Sequence, residues 1–146
     1  MAKKGTRSKA ITYKGFLHLS NALLDHPDFI ALSGDALKLL VCIGRQYNGY
    51  NNGDLQASLK CLKPYGWNSN RALTQARREL LERGWITKTR TGGLGMGPDL
   101  FAITWQPIDE CSGKLEVKAT LTAPRSLRDK STTHKKTQVP NPIRVQ

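Results

Sequence analysis

The chain has 146 residues, of which 38 % are hydrophobic, and a formal net charge of +12. That length suits one domain with one modest core, and no apolar run approaches the roughly 20 residues of a membrane span. The three cysteines, Cys42, Cys61 and Cys111, share no C-x-x-C spacing, so reduced thiols are expected rather than a disulfide frame or a metal knuckle.

Residues 1–15 contain Lys3, Lys4, Arg7, Lys9 and Lys14 and no acid. They read as a basic arm, and the absence of an apolar secretory region leads us to expect a cytoplasmic protein. A folded domain is expected over 16–118. In FLHLSNALLDHPDF, Ser20 can cap a short helix with Leu23 and Leu24 as its apolar face, ended by Pro27. The stretch LSGDALKLLVCIGRQYNG predicts a helix capped by Ser33, with Asp35 in its first turn and Leu37, Leu40, Val41 and Gly44 on the inner face. DLQA can form a short strand. Ser58 can then cap a short helix, LKCLK, which carries Leu59 and Leu62 and is stopped by Pro64. After a tight connection at Gly66, Asn68 or Ser69 caps a longer helix running to about Arg83. Ala72, Leu73, Ala76, Leu80 and Leu81 are its apolar positions, and Asn70, Arg71, Thr74, Gln75 and Arg78 lie opposite.

WITKTR and LFAITW are β-branched and aromatic, and LFAITW alternates Leu100, Ala102 and Thr104 with Phe101, Ile103 and Trp105, as a strand does. Between them lie Gly92, Gly93, Gly95 and Gly97. A phosphate-cradling loop would open a helix and, in a P-loop, be followed by lysine; here a strand follows. The glycines therefore read as the flexible tip of a long β-hairpin. Beyond it, residues 119–146 are rich in Ser, Thr, Pro and Lys and are expected to be a disordered basic tail.

A short helix, a tight turn and a longer helix form a helix-turn-helix. With a core helix and strand before it and a hairpin after it, the order is that of an α+β winged helix-turn-helix: a three-helix core with a β-hairpin wing. The outer face of the second helix has suitable chemistry for DNA. Arginine bonds guanine in bidentate fashion, and Asn or Gln does the same to adenine. Asn70, Arg71, Gln75 and Arg78 are candidate base readers, Ser69 and Thr74 candidate phosphate contacts, and Lys88, Arg90, Thr91, Gly92 and Gly93 the candidate contacts of the wing. Basic arms at both ends suit the same polyanion. The same helix could instead be a solvated scaffold, with Arg78 and Glu82 as an i,i+4 pair. His18, His26 and His134 share no metal-ligand spacing with the cysteines, the DEC run at 109–111 has no histidine near it in sequence, and Trp67, Trp85 and Trp105 suit the core. No enzyme activity, metal or cofactor is expected.

Four segments, ALSGDALKLLVCIGRQYNGYNNGDL, YGWNSNRALTQARRELLERGWI, GGLGMGPDLFAITW and PIDECSGKLEV, taken in this order, resemble a group of small winged-helix DNA-binding proteins of bacteria, their phages and mobile elements. The resemblance covers about 16–118, with Pro64 shortening the first helix of the motif. It implies a cytoplasmic DNA-binding role in transcription regulation or replication of such an element, centred on the helix beginning at Ser69 and the wing over 92–97. The expected partner is double-stranded DNA, with a homodimer left open and neither a membrane nor a small-molecule ligand. The rival expectation is a winged-helix protein-interaction module, for example a phage inhibitor of a host nucleic-acid machine.

Overall fold

The computed structural model describes residues 15–128. Apart from Gly15, the expected N-terminal arm lies outside the described residues, as does the chain after Arg128. What is described is an α+β arrangement of five α-helices and one small antiparallel sheet.

Helix α1, Asn21–Leu24, starts where Ser20 Oγ accepts the Leu23 N–H. Pro27 does more than end it. It occupies the first position of α2, Pro27–Ile30, where a missing N–H goes unneeded, and His26 Nδ1 caps that helix by accepting the Asp28 N–H at 3.1 Å. Helix α3, Gly34–Gly44, is capped by Ser33 as expected. Its buried face is Ala36, Leu39, Leu40, Cys42, Ile43 and Gly44, while Leu37 and Val41 are 37 % and 39 % exposed. The expected inner face was therefore rotated. Apolar residues surround this helix almost completely, so its packing partners, chiefly α5, decide which side is buried.

Strand β1, Leu55–Gln56, leads into α4, Leu59–Leu62, capped by Ser58. Pro64 falls within a 3₁₀ turn, Lys63–Tyr65, and Gly66 at φ +92° redirects the chain. Helix α5, Asn70–Glu82, is capped by Ser69, whose Oγ accepts the Ala72 N–H at 3.2 Å. Leu73, Ala76 and Leu80 seat it on the core, whereas Leu81 stays exposed. The hairpin follows as β2, Ile86–Arg90, and β3, Leu100–Ile103.

The sheet order is β1-β3-β2, all antiparallel, with Leu55 opposite Phe101, Ile86 opposite Ile103, and an irregularity between Lys88 and Arg90. The alternation expected for β3 does not hold, because Leu100 to Trp105 are all buried. As the middle strand it has neighbours on both edges, and the chain after it folds back alongside. Glu116 N–H bonds Thr89 O, and Arg125 N–H bonds Thr104 O, both at 2.8 Å.

That return corrects the boundary placed at 118. Arg125, assigned to the tail, is buried. Its guanidinium lies 3.9 Å from the centroid of the Trp85 ring, pairs with Asp28, and donates to Arg83 O at 2.8 Å. Composition marks this stretch as polar, but a buried carboxylate on α2 requires a cation, and Arg125 supplies it. Around the fully buried Trp85 ring, His26, Phe29 and Trp105 stand edge-on. Asn52 is a second buried polar anchor. Its amide nitrogen donates to Ile103, Gln106 and Pro107 carbonyls, and its Oδ1 accepts the Ile103 N–H.

Candidate nucleic-acid interface

Because Leu73, Ala76 and Leu80 are locked into the core, the other side of α5 must face water. Ser69, Asn70, Arg71, Thr74, Gln75 and Arg78 are all exposed. Arg71, Gln75 and Arg78 sit at i, i+4 and i+7, which places them on one stripe. Among the described residues, neither Arg71 nor Arg78 forms an ion pair, and the i,i+4 partnership of Arg78 with Glu82 is not made. The other acid of this helix is turned away from the stripe. Glu79 accepts the Ser33 N–H at 2.8 Å and the Ser33 hydroxyl at 2.6 Å, tying α5 to the N-terminal end of α3. Glu82, exposed at the C-terminal end of the stripe, is the acid that remains on it, and among the described residues it pairs with neither arginine.

Further basic side chains, not among those expected from sequence, lie on α3, on α4 and in the turn before α5. Lys60 on α4 and Lys63 in the following turn are exposed. From α3, Lys38 lies 5.4 Å over the Trp67 ring and Arg45 lies 5.2 Å over Tyr65, so two cations flank the turn that leads into α5. The spacing of Lys60 and Lys63 around buried Leu62 could have revealed the first two; Lys38 and Arg45 become neighbours of the turn only through the tertiary fold. Arg77 differs from the others on α5. It is half-buried, and its Nη1 donates to Ala57 O at 2.7 Å, which ties the helix to the end of β1.

The hairpin is wired in the opposite sense. Lys88 Nζ lies 3.0 Å from Asp99 Oδ2, and Arg90 Nη2 donates to Met96 O at 3.2 Å. The Thr91 N–H donates to Glu116, and the Gly92 N–H to Asp99 Oδ1 at 2.7 Å. That last bond does most to hold the Asp99 carboxyl below its ordinary range; Lys88 and the more distant Arg77 add to it, while partial burial opposes. Arg77 thus links α5 electrostatically to the base of the hairpin. A β-carbon on Gly92 would fall 2.3 Å from Gly97 O, so only glycine fits there. Gly93 is exposed and bridges to Gly97. Expected as a flexible tip, this segment is closed by its own hydrogen bonds.

The DEC run is structural. Asp109 Oδ2 accepts the Asn52 N–H at 2.8 Å, and the Cys111 thiol points to Asn52 O. Burial first, then Asp54 and Asp109, push the Cys111 thiol up, the wrong direction for a nucleophile. The three tryptophans are buried. Among the described residues no group of His, Cys, Asp and Glu could hold a metal, and no helix is long and apolar enough to cross a membrane. Comparison with protein-family models, with curated proteins and with solved structures finds no match in any of the three.

Proposed function

We propose that the chain is a winged helix-turn-helix protein that binds double-stranded DNA in a sequence-specific manner, as a transcriptional or replication regulator of a phage or mobile element. One observation carries the DNA reading: α5 presents Arg71, Gln75 and Arg78 on a single exposed stripe where, among the described residues, neither arginine is ion-paired, with Glu82 or any other acid, while Glu79 is bonded to Ser33. In this reading the N-terminal half of α5 enters the major groove, α3 is the core helix, α4 crosses the backbone with Lys60 and Lys63 near phosphates, and the β2–β3 hairpin is the wing. The assignment to a mobile element rests on the sequence resemblance alone.

The test is selection of bound duplexes from a random 30-base-pair library by the full chain, followed by competition between the selected and scrambled duplexes. A recurring motif, preferred at least about a thousandfold over scrambled DNA at physiological salt, is expected. Equal retention of all duplexes, or of none, would defeat the reading and favour the protein-interaction alternative.

A further inference from the structure

The hairpin tip is chemically unlike the rest of the interface. From Thr91 to Pro98 it has no charged side chain, and it holds out two apolar ones: Leu94 is fully exposed and Met96 is 55 % exposed. A single exposed apolar residue is ordinary on any protein surface. Here, however, both sit on a turn whose hydrogen bonds hold them at the apex. Gly93 O accepts the Met96 N–H at 2.9 Å with Gly95 at φ +76°, a turn that needs positive φ at its third residue. The Gly93 N–H closes on Gly97 O at 3.1 Å, and below it Asp99 clamps the Gly92 N–H and Lys88. Leu94 therefore occupies the second position of a closed turn and packs against nothing. Glycines on either side strip the tip of other bulk.

We propose that Leu94 and Met96 form an apolar wedge that enters the minor groove beside the α5 site, parts a base step and bends the duplex. The proposal rests on the DNA-binding reading above. In that reading the β2–β3 hairpin is the wing, and its tip meets the DNA that flanks the α5 site. The minor groove is about 6 Å wide, and apolar side chains that enter it replace water contact with contact to base faces at the cost of unstacking. Pyrimidine–purine steps unstack most easily, so such a wedge selects them without reading a base edge. A hydrophobic pocket on a protein would accept the same two side chains. DNA is favoured by charge: the chain carries a formal net charge of +12, and from Thr91 to Pro98 the tip has no acid that would repel phosphates.

The test uses the full chain and a duplex selected from the random library, with 2-aminopurine placed in turn at each flanking position and dyes at the two ends. Leu94→Ser/Met96→Ser is the test variant, and thermal unfolding checks that its fold is intact. The native chain is expected to brighten 2-aminopurine at one flanking pyrimidine–purine step and to shorten the end-to-end distance. The variant should lose both signals and bind about tenfold more weakly or worse, while keeping its preference for the selected motif. If the native chain binds the motif without unstacking any step, or if the signals survive in the variant, the wedge is refuted and the DNA reading stands. If no duplex is selected at all, both fall, and the tip is left to a protein pocket.

Discussion

The outer face of α5 and the base of the β-hairpin both carry cations, and they use them in opposite ways. Arg71 and Arg78 have no ion-pair partner among the described residues, whereas Lys88 is paired with Asp99 and Arg90 is bonded to the Met96 carbonyl. Arg125 goes further still, buried between Asp28 and the Trp85 ring. A count of lysines and arginines treats all five alike. What a cation can offer a partner depends on what the fold already asks of it: Arg125 serves stability, Lys88 and Arg90 chiefly shape the hairpin, and Arg71 and Arg78 remain free for an outside anion.

The first way to break this ranking is at Arg125. Arg125→Ala removes a buried ion pair with Asp28 and the cation over the Trp85 ring, and should cost about 3–5 kcal/mol in urea unfolding. A loss below about 1 kcal/mol for Arg125→Ala would mean that the pair does not brace the fold.

The hairpin base comes next. Asp99→Asn removes the charge that gathers the Gly92 N–H and Lys88, and a loss of about 1 kcal/mol at neutral pH is expected. The folded carboxyl of Asp99 is held below its ordinary value, so its contribution is present above the unfolded pKa and fades as pH falls through the folded one. The variant should therefore show a shallower acid limb in a plot of stability against pH. An unchanged acid limb would contradict the clamp.

Smallest is Lys88→Ala, with an effect of about 0–1 kcal/mol on stability, as for other exposed ion pairs. Its effect on DNA affinity should be smaller than that of Arg78→Ala, because Lys88 already has a carboxylate partner. A larger loss for Lys88→Ala would show that the ion pair opens to release the lysine to phosphate, which would erase the distinction between the two regions.

Much of the backbone course was legible from local chemistry. Ser20, Ser33 and Ser58 each cap the helix they were expected to cap, and of the two candidates Asn68 and Ser69 it is Ser69 that caps α5, because a serine side chain and the N–H two or three residues later are a short-range pair. The exposed stripe of α5 was legible for a related reason: a polar helix with one narrow apolar face leaves little doubt about which side is buried. Helix α3 offered no such contrast, and its inner face was misplaced. The partners of Arg125, Asn52 and Glu79 lie 97, 51 and 46 residues away in sequence, so no local pattern could announce them. The same holds for the hairpin: Lys88 and Arg90 read as contacts to DNA because Asp99 and the Met96 carbonyl meet them only once the strands pair.

The central claim is that Arg71 and Gln75 on α5 read bases, with Arg78 on phosphate. Its most direct test is the affinity of Arg71→Ala and Gln75→Ala, each measured on the selected duplex and on scrambled DNA. Each substitution should cost about 1–3 kcal/mol on the selected duplex and little on scrambled DNA, with Arg78→Ala weakening both alike as a phosphate contact would. Equal losses on the two DNAs for Arg71→Ala and Gln75→Ala would contradict base reading by α5.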